Sequence, residues 1–103
     1  MTENLVRDFY LGFIRIHILY QARKEPVYGV KLMNELARYG YRMSPGTIYP
    51  ILHVLEEKGL LLSYKEIISG KARRCYRITQ NGEQILRGAQ KMAAELINEI
   101  SEE

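Results

Sequence analysis

Apolar residues recur along this chain first at the spacing of helices and then, after Gly59, at the spacing of strands. Leu5, Phe9, Phe13, Ile16 and Tyr20 follow at steps of four, four, three and four, with Leu11, Ile14, Ile18 and Leu19 beside them. This predicts a helix over residues 4–22 with an unusually wide apolar face. Such a face needs cover on more than one side, so the helix is either central or packed against a second subunit. Pro26 breaks it. A second helix is predicted from Tyr28-Gly29, with Val30, Met33, Leu36 and Ala37 as its buried stripe and Gly40 at its end.

Ser44-Pro45 opens a third helix, because serine is a good cap and proline at the first helical position gives up no needed donor. Ile48, Ile51, Leu52 and Leu55 form its apolar stripe, Gly59 closes it, and Thr47, Tyr49, His53 and Lys58 lie on the rest of its surface. Pro50 bears on where this helix begins. With Ser44 as the cap it deletes one intrahelical bond; with Thr47 as the cap it falls in the first turn at little cost. Spacing alone does not choose. Helix, short turn, helix is the arrangement of a helix-turn-helix unit, and also of helical hairpins that touch no DNA.

Beyond Gly59, residues 60–68 are rich in strand formers, Ser69-Gly70-Lys71 reads as a turn, and Arg74-Cys75-Tyr76-Arg77-Ile78 alternates with Tyr76 and Ile78 on one face. A two-stranded hairpin is marginal alone, so it must lean on the helices. Lys65, Lys71, Arg73, Arg74 and Arg77, against a single Glu66, make it strongly cationic, with its charged end projecting. Thr79 then caps a last helix from about Gln80 to Glu102. Ile85, Ala89, Met92, Leu96 and Ile100 form one stripe of it, with Leu86, Ala93 and Ile97 alongside. No chain remains to cover that band, so a partner is expected.

The chain of 103 residues has room for one domain with one modest core, and 47% apolar with 26% charged residues is the composition of a folded protein. Charged residues interrupt every apolar run among the first thirty long before the roughly 20 residues a membrane span needs, which places the protein in the cytoplasm. Net charge is +3, unevenly spread. From Glu83 onward there are five acidic and two basic residues, so residues 1–82 carry +6, where a polyanion would bind. No cofactor, metal or enzymatic constellation emerges. Cys75 has arginines near it in sequence but no histidine to act as base, His17 and His53 lack ligand-like companions, and Gly46 belongs to no Walker-type loop.

The predicted order of helix, helix, helix, hairpin and helix is a mainly α fold with a small β hairpin: a winged helix over residues 1–80 and a C-terminal helix over 81–103 that forms one compact unit with the first. The sequence resembles the PadR family of bacterial and archaeal transcriptional regulators. The resemblance rests on Tyr28-Gly29-Val30-Lys31-Leu32, on Ser44 through Leu52, on Leu55-Glu56-Glu57-Lys58-Gly59-Leu60-Leu61, and on Arg73 through Thr79 with Gly82 following. It implies a homodimeric repressor on a palindromic operator in double-stranded DNA, with the third helix in the major groove and the wing on the flanking backbone. The short last helix is similar to the small branch of the family, in which the first and last helices make the dimer through residues such as Ile85, Ala89, Met92, Leu96 and Ile100. A chamber for a small apolar effector at the dimer centre is also implied. Phe9, Phe13, Ile16, Met92 and Leu96 would line it, or serve simply as dimer core; tryptophan, which supplies the stacking surface in the best-known sensors, is absent.

Three clusters carry the expected DNA contacts. Ser44, Gly46, Thr47, Ile48 and Tyr49 gather at the start of the third helix, where free N–H groups and the helix dipole favour a phosphate. Tyr28, Gly29 and Lys31 do the same at the start of the second. Lys71, Arg73 and Arg74 make the wing cationic. With no Arg, Asn or Gln in the first three turns of the third helix, bidentate base readout is missing. Specificity then falls to DNA shape, half-site spacing and a few contacts from Thr47, Ile48 and His53. A winged helix used only for protein contacts is the competing reading.

Overall fold

The computed structural model describes residues 2–103. Among these, four helices and three strands follow in the order α1 (Thr2–Lys24), β1 (Val27–Tyr28), α2 (Gly29–Ala37), α3 (Pro45–Glu57), β2 (Leu61–Ile68), β3 (Lys71–Ile78) and α4 (Gln80–Ser101). The core is built where these elements meet: Ile14, Ile18 and Leu19 of α1, Leu32 and Leu36 of α2, Ile48, Leu52 and Leu55 of α3, with Val27, Leu61, Tyr76 and Leu86 closing it. Among the described residues no helix is long and apolar enough to cross a membrane.

Two apolar stripes differ from those expected. On α1 the core takes Ile14, Ile18, Leu19 and Ala22, whereas Leu5, Phe9, Phe13 and Tyr20 face outward. Periodicity marks both faces as apolar, and only the packing of α2 and α3 decides which is covered. On α2 the buried positions are Gly29, Leu32 and Leu36, while Val30 and Ala37 are exposed.

The helix ends follow local chemistry. Ser44 occupies the cap position of α3, which settles the choice against Thr47 and places Pro50 inside the helix. Lacking an N–H, Pro50 leaves the Gly46 carbonyl without its usual donor. At the other end Gly59 has φ of +75°, and the Gly59 and Leu60 amides donate to the carbonyls of Glu56 at 2.9 Å and Leu55 at 3.0 Å. This paired closure needs a left-handed residue, which glycine supplies without strain. Thr79 caps α4 as expected: its Oγ1 accepts from the Gly82 amide at 3.0 Å and donates to the Gly59 carbonyl at 2.6 Å. The same hydroxyl therefore ties the start of α4 to the end of α3.

The hairpin is longer than its alternation suggests, with β3 beginning at Lys71 and Ser69-Gly70 forming a two-residue turn. A third strand was not apparent from the sequence. β1 pairs antiparallel with β3, setting Val27 opposite Tyr76 and Tyr28 opposite Cys75, so the sheet order is β1-β3-β2. This short strand fastens the wing to the entrance of α2.

Candidate nucleic-acid interface

The start of α3 is exposed at Ser44, Pro45, Gly46, Thr47 and Tyr49. No side chain caps it. The Ser44 carbonyl accepts from the Thr47 and Ile48 amides at 3.0 Å each, and the Ser44 and Thr47 hydroxyls lie 3.4 Å apart. Both hydroxyls thus remain at the surface beside the positive end of the helix dipole. A Cβ on Gly46 would meet nothing nearer than Ser44 Oγ at 3.7 Å, so no internal packing calls for glycine there. Ile48 is different: it is 0% exposed and belongs to the core. Its place on the apolar stripe of α3 holds, and its expected groove contact does not: the side chain turns inward to seat α3.

The starts of α2 and α3 are in contact. A Cβ on Gly29 would lie 2.3 Å from Tyr49 Oη and 2.5 Å from its Cζ, so the Tyr49 ring rests on the first residue of α2. Gly29 is covered by this ring, while Tyr49 itself stays partly exposed. Lys31, one turn along, is held by Glu25 in an ion pair. Hydrogen bonding and charge from Lys31 keep the Glu25 carboxyl below the usual carboxylate range. Lys31 is therefore already partnered within the chain. His53 Nε2 lies 2.8 Å from Glu57 Oε1 one turn away on α3, so base reading by this imidazole would have to break that contact.

The wing cations divide between two faces, because neighbours on a strand point oppositely. Lys71 stands exposed beside the turn. Arg74 Nη1 donates to Ser63 Oγ at 2.9 Å, and Ser63 donates to Glu56 of α3 through both its Oγ, at 2.5 Å, and its amide, at 3.1 Å. These bonds, led by the Ser63 hydroxyl, hold the Glu56 carboxyl below its ordinary range. Arg73 does not reach out from the tip as its place near the turn had suggested. It is half-buried, with its Cζ 5.2 Å from the centroid of the Tyr28 ring. The arginines flanking Cys75 in sequence also fail to activate it. The thiol is buried, and desolvation followed by Glu66 pushes its pKa up.

One cluster escaped sequence reasoning. His17 of α1 sits among Tyr39 (4.6 Å between ring centroids), Tyr41 (5.6 Å), Tyr20 (6.2 Å) and Phe13 (6.3 Å), and burial lowers its pKa. Tyr39-Gly40-Tyr41 reads as a solvent-facing link between two helices. The only signal in it was a pair of aromatics on either side of a glycine. The proposed chamber residues Phe9 and Phe13 adjoin this cluster with ring centroids 6.3 Å apart, and Ile16 is half-buried. Met92 and Leu96 are exposed on α4.

A short helical pair whose second member exposes its uncapped start, followed by a hairpin fastened to both, defines a winged-helix domain, here extended by a long helix at either end. The model of the "Transcriptional regulator PadR-like family" matches residues 18–88. The chain belongs to this family of transcriptional regulators. It is 44% identical over 95 residues to Transcriptional regulator Rv3488 of Mycobacterium tuberculosis, covering 92% of this chain and 89% of that protein. A crystal structure of a PadR family regulator from Eggerthella lenta superposes with a TM-score of 0.79 at 31% identity, covering 98% of this chain and 89% of that one. The PadR-like transcription factor of Bacteroides fragilis gives 0.76 at 27% identity, with 94% and 98% covered.

Proposed function

We propose that this regulator is a homodimeric repressor that grips a palindromic DNA operator chiefly by its phosphates. The observation that carries this reading is the joining of the three candidate contact regions. Tyr49 packs the start of α3 onto Gly29 at the start of α2, and Arg73 stacks the wing onto Tyr28 next to it. Two uncapped helix starts and a cationic strand thus form one surface on which free N–H groups, hydroxyls and a guanidinium are within reach of a single backbone.

Ser44, Gly46, Thr47 and Tyr49 contact phosphate or the groove edge, with Lys71, Arg73 and Arg74 on the flank. Lys31 and His53 contribute only by giving up their acidic partners. Ile48 holds the helix in place. Two copies joined through α1 and α4 present two such surfaces to two half-sites, as palindromic recognition requires. An apolar effector lodged among Phe9, Phe13, Ile16, Met92 and Leu96 at that junction would change the spacing of the two surfaces and release the operator.

An electrophoretic shift of the gene's own upstream region, repeated at several salt concentrations, tests the proposal. Saturable binding is expected, with log affinity falling against log salt by about 0.9 for every phosphate neutralised. No saturable shift at low salt would favour the protein-contact reading.

A further inference from the structure

We infer that Tyr28 is a positioning residue, whose ring fixes the Arg73 guanidinium for a DNA phosphate at the junction of the wing and α2. The inference rests on the DNA-binding reading above and adds a division of labour to it. β1 pairs with β3 so that Tyr28 lies opposite Cys75, and Arg73 is two residues further along β3 on the same face of the sheet. The guanidinium is thereby brought over the ring, Cζ to centroid 5.2 Å. This is the approach at which a cation is drawn to an aromatic face.

Among the described residues Arg73 forms no ion pair. Glu66 is opposite it in the β2–β3 register, yet its carboxylate lies toward Cys75, with Oε2 at 3.9 Å from Sγ. The Arg73 Nε is shielded from solvent without a hydrogen-bond partner. A guanidinium that is half-buried, outside any ion pair and held over a ring is set to present its donors to an external acceptor, and a phosphate matches that planar fork. Tyr28 also precedes α2, whose first turn carries neither an acidic residue nor a side-chain cap. The same phosphate therefore meets no acidic side chain in the first turn of that helix.

The test is the salt dependence of binding to the upstream duplex, measured by fluorescence anisotropy. Tyr28→Leu removes no charge. If the ring sets the guanidinium, it lowers the slope of log affinity against log salt by about one, as Arg73→Ala does, and the double variant loses no more. Tyr28→Phe keeps the ring and keeps the slope. Arg73→Lys keeps the charge without the planar fork, so it keeps the slope and lowers the affinity at every salt concentration. An unchanged slope in a folded Tyr28→Leu, or wild-type affinity in Arg73→Lys, overturns the inference. Failure of the wild-type protein to bind in a salt-dependent way overturns the DNA reading itself.

Discussion

Gly46 and Gly82 are both helical glycines near the start of a helix, yet they are there for opposite reasons. A Cβ on Gly82 would lie 2.3 Å from the Leu60 carbonyl oxygen and 2.7 Å from Ile78 Cγ1. A backbone oxygen cannot swing aside, so α4 would have to move off the sheet. Gly82→Ala is expected to destabilise the protein by about 1–3 kcal/mol, the usual cost of overpacking, read as a lower midpoint in chemical denaturation. A Cβ on Gly46 would make only an ordinary contact, with Ser44 Oγ at 3.7 Å. Alanine there should leave stability unchanged or raise it by up to about 1 kcal/mol, since glycine is the poorer helix former. Its effect should appear instead in DNA binding, because a methyl group holds a phosphate away from the first-turn amides. Gly46→Ala is predicted to melt no lower than wild type and to bind the upstream duplex more weakly. Equal affinity would show that no phosphate approaches that backbone.

At the scale of elements, the wing is positioned from two sides: by Arg73 on Tyr28, and by the chain of bonds from Arg74 through Ser63 to Glu56 at the end of α3. The second linkage is sensitive to acid. Glu56 has its pKa lowered from an ordinary 4.5, first by the Ser63 hydroxyl and against a smaller opposing effect of burial. A carboxyl whose folded pKa is depressed contributes stability that is complete above its unfolded value and is lost as pH falls through its folded one. Glu56→Gln should therefore lower the melting temperature at neutral pH, and the gap to wild type should close as pH drops below 4.5. A gap that stays constant would mean the ionised form of Glu56 is not what holds the hairpin.

The elements themselves were largely legible in the sequence, because each long one advertises its period and its cap: Ser44-Pro45, Thr79 and Gly59 all stand where the chain predicts. β1 was not, since two residues have no period and become a strand only by pairing with β3 fifty residues away. Facing was harder than identity. Adjacent Arg73 and Arg74 look like one cationic patch in sequence, but the pleat sends one to Tyr28 and the other to Ser63. Ile48 was legible as part of the apolar stripe of α3, and its burial there removes it from the groove contacts, because neighbours on a helix are turned by about 100° from one another.

The molecule as a whole leaves long apolar faces uncovered on its first and last helices. Its longest dimension is 53 Å against 29 and 24 Å across, and every side chain of α4 from Lys91 on is exposed. Met92 is 71% exposed, and Leu96, Ile97 and Ile100 each more than half, while at the far end of α1 Phe9 is 70% and Leu5 71% exposed. These positions repeat at helical spacing, so they form two continuous faces and not scattered residues. Burying a side chain of this kind is worth about 1.5–3 kcal/mol, and the proposed second copy would draw on that gain against the entropic cost of association. Leu96, near the middle of the exposed half of α4, is the position where a charge would cost most. Leu96→Glu should convert a dimeric mass into a monomeric one by light scattering at micromolar concentration. It should also remove the rise of melting temperature with protein concentration that an obligate dimer shows. A monomeric wild-type protein would sink the proposal. If the dimer exists, the same variant carries a consequence at the operator. Every residue proposed above to contact DNA is intact in it, so its loss of affinity for a two-half-site duplex measures what linkage of the two wings contributes, and on a single half-site it should bind as well as one wild-type protomer.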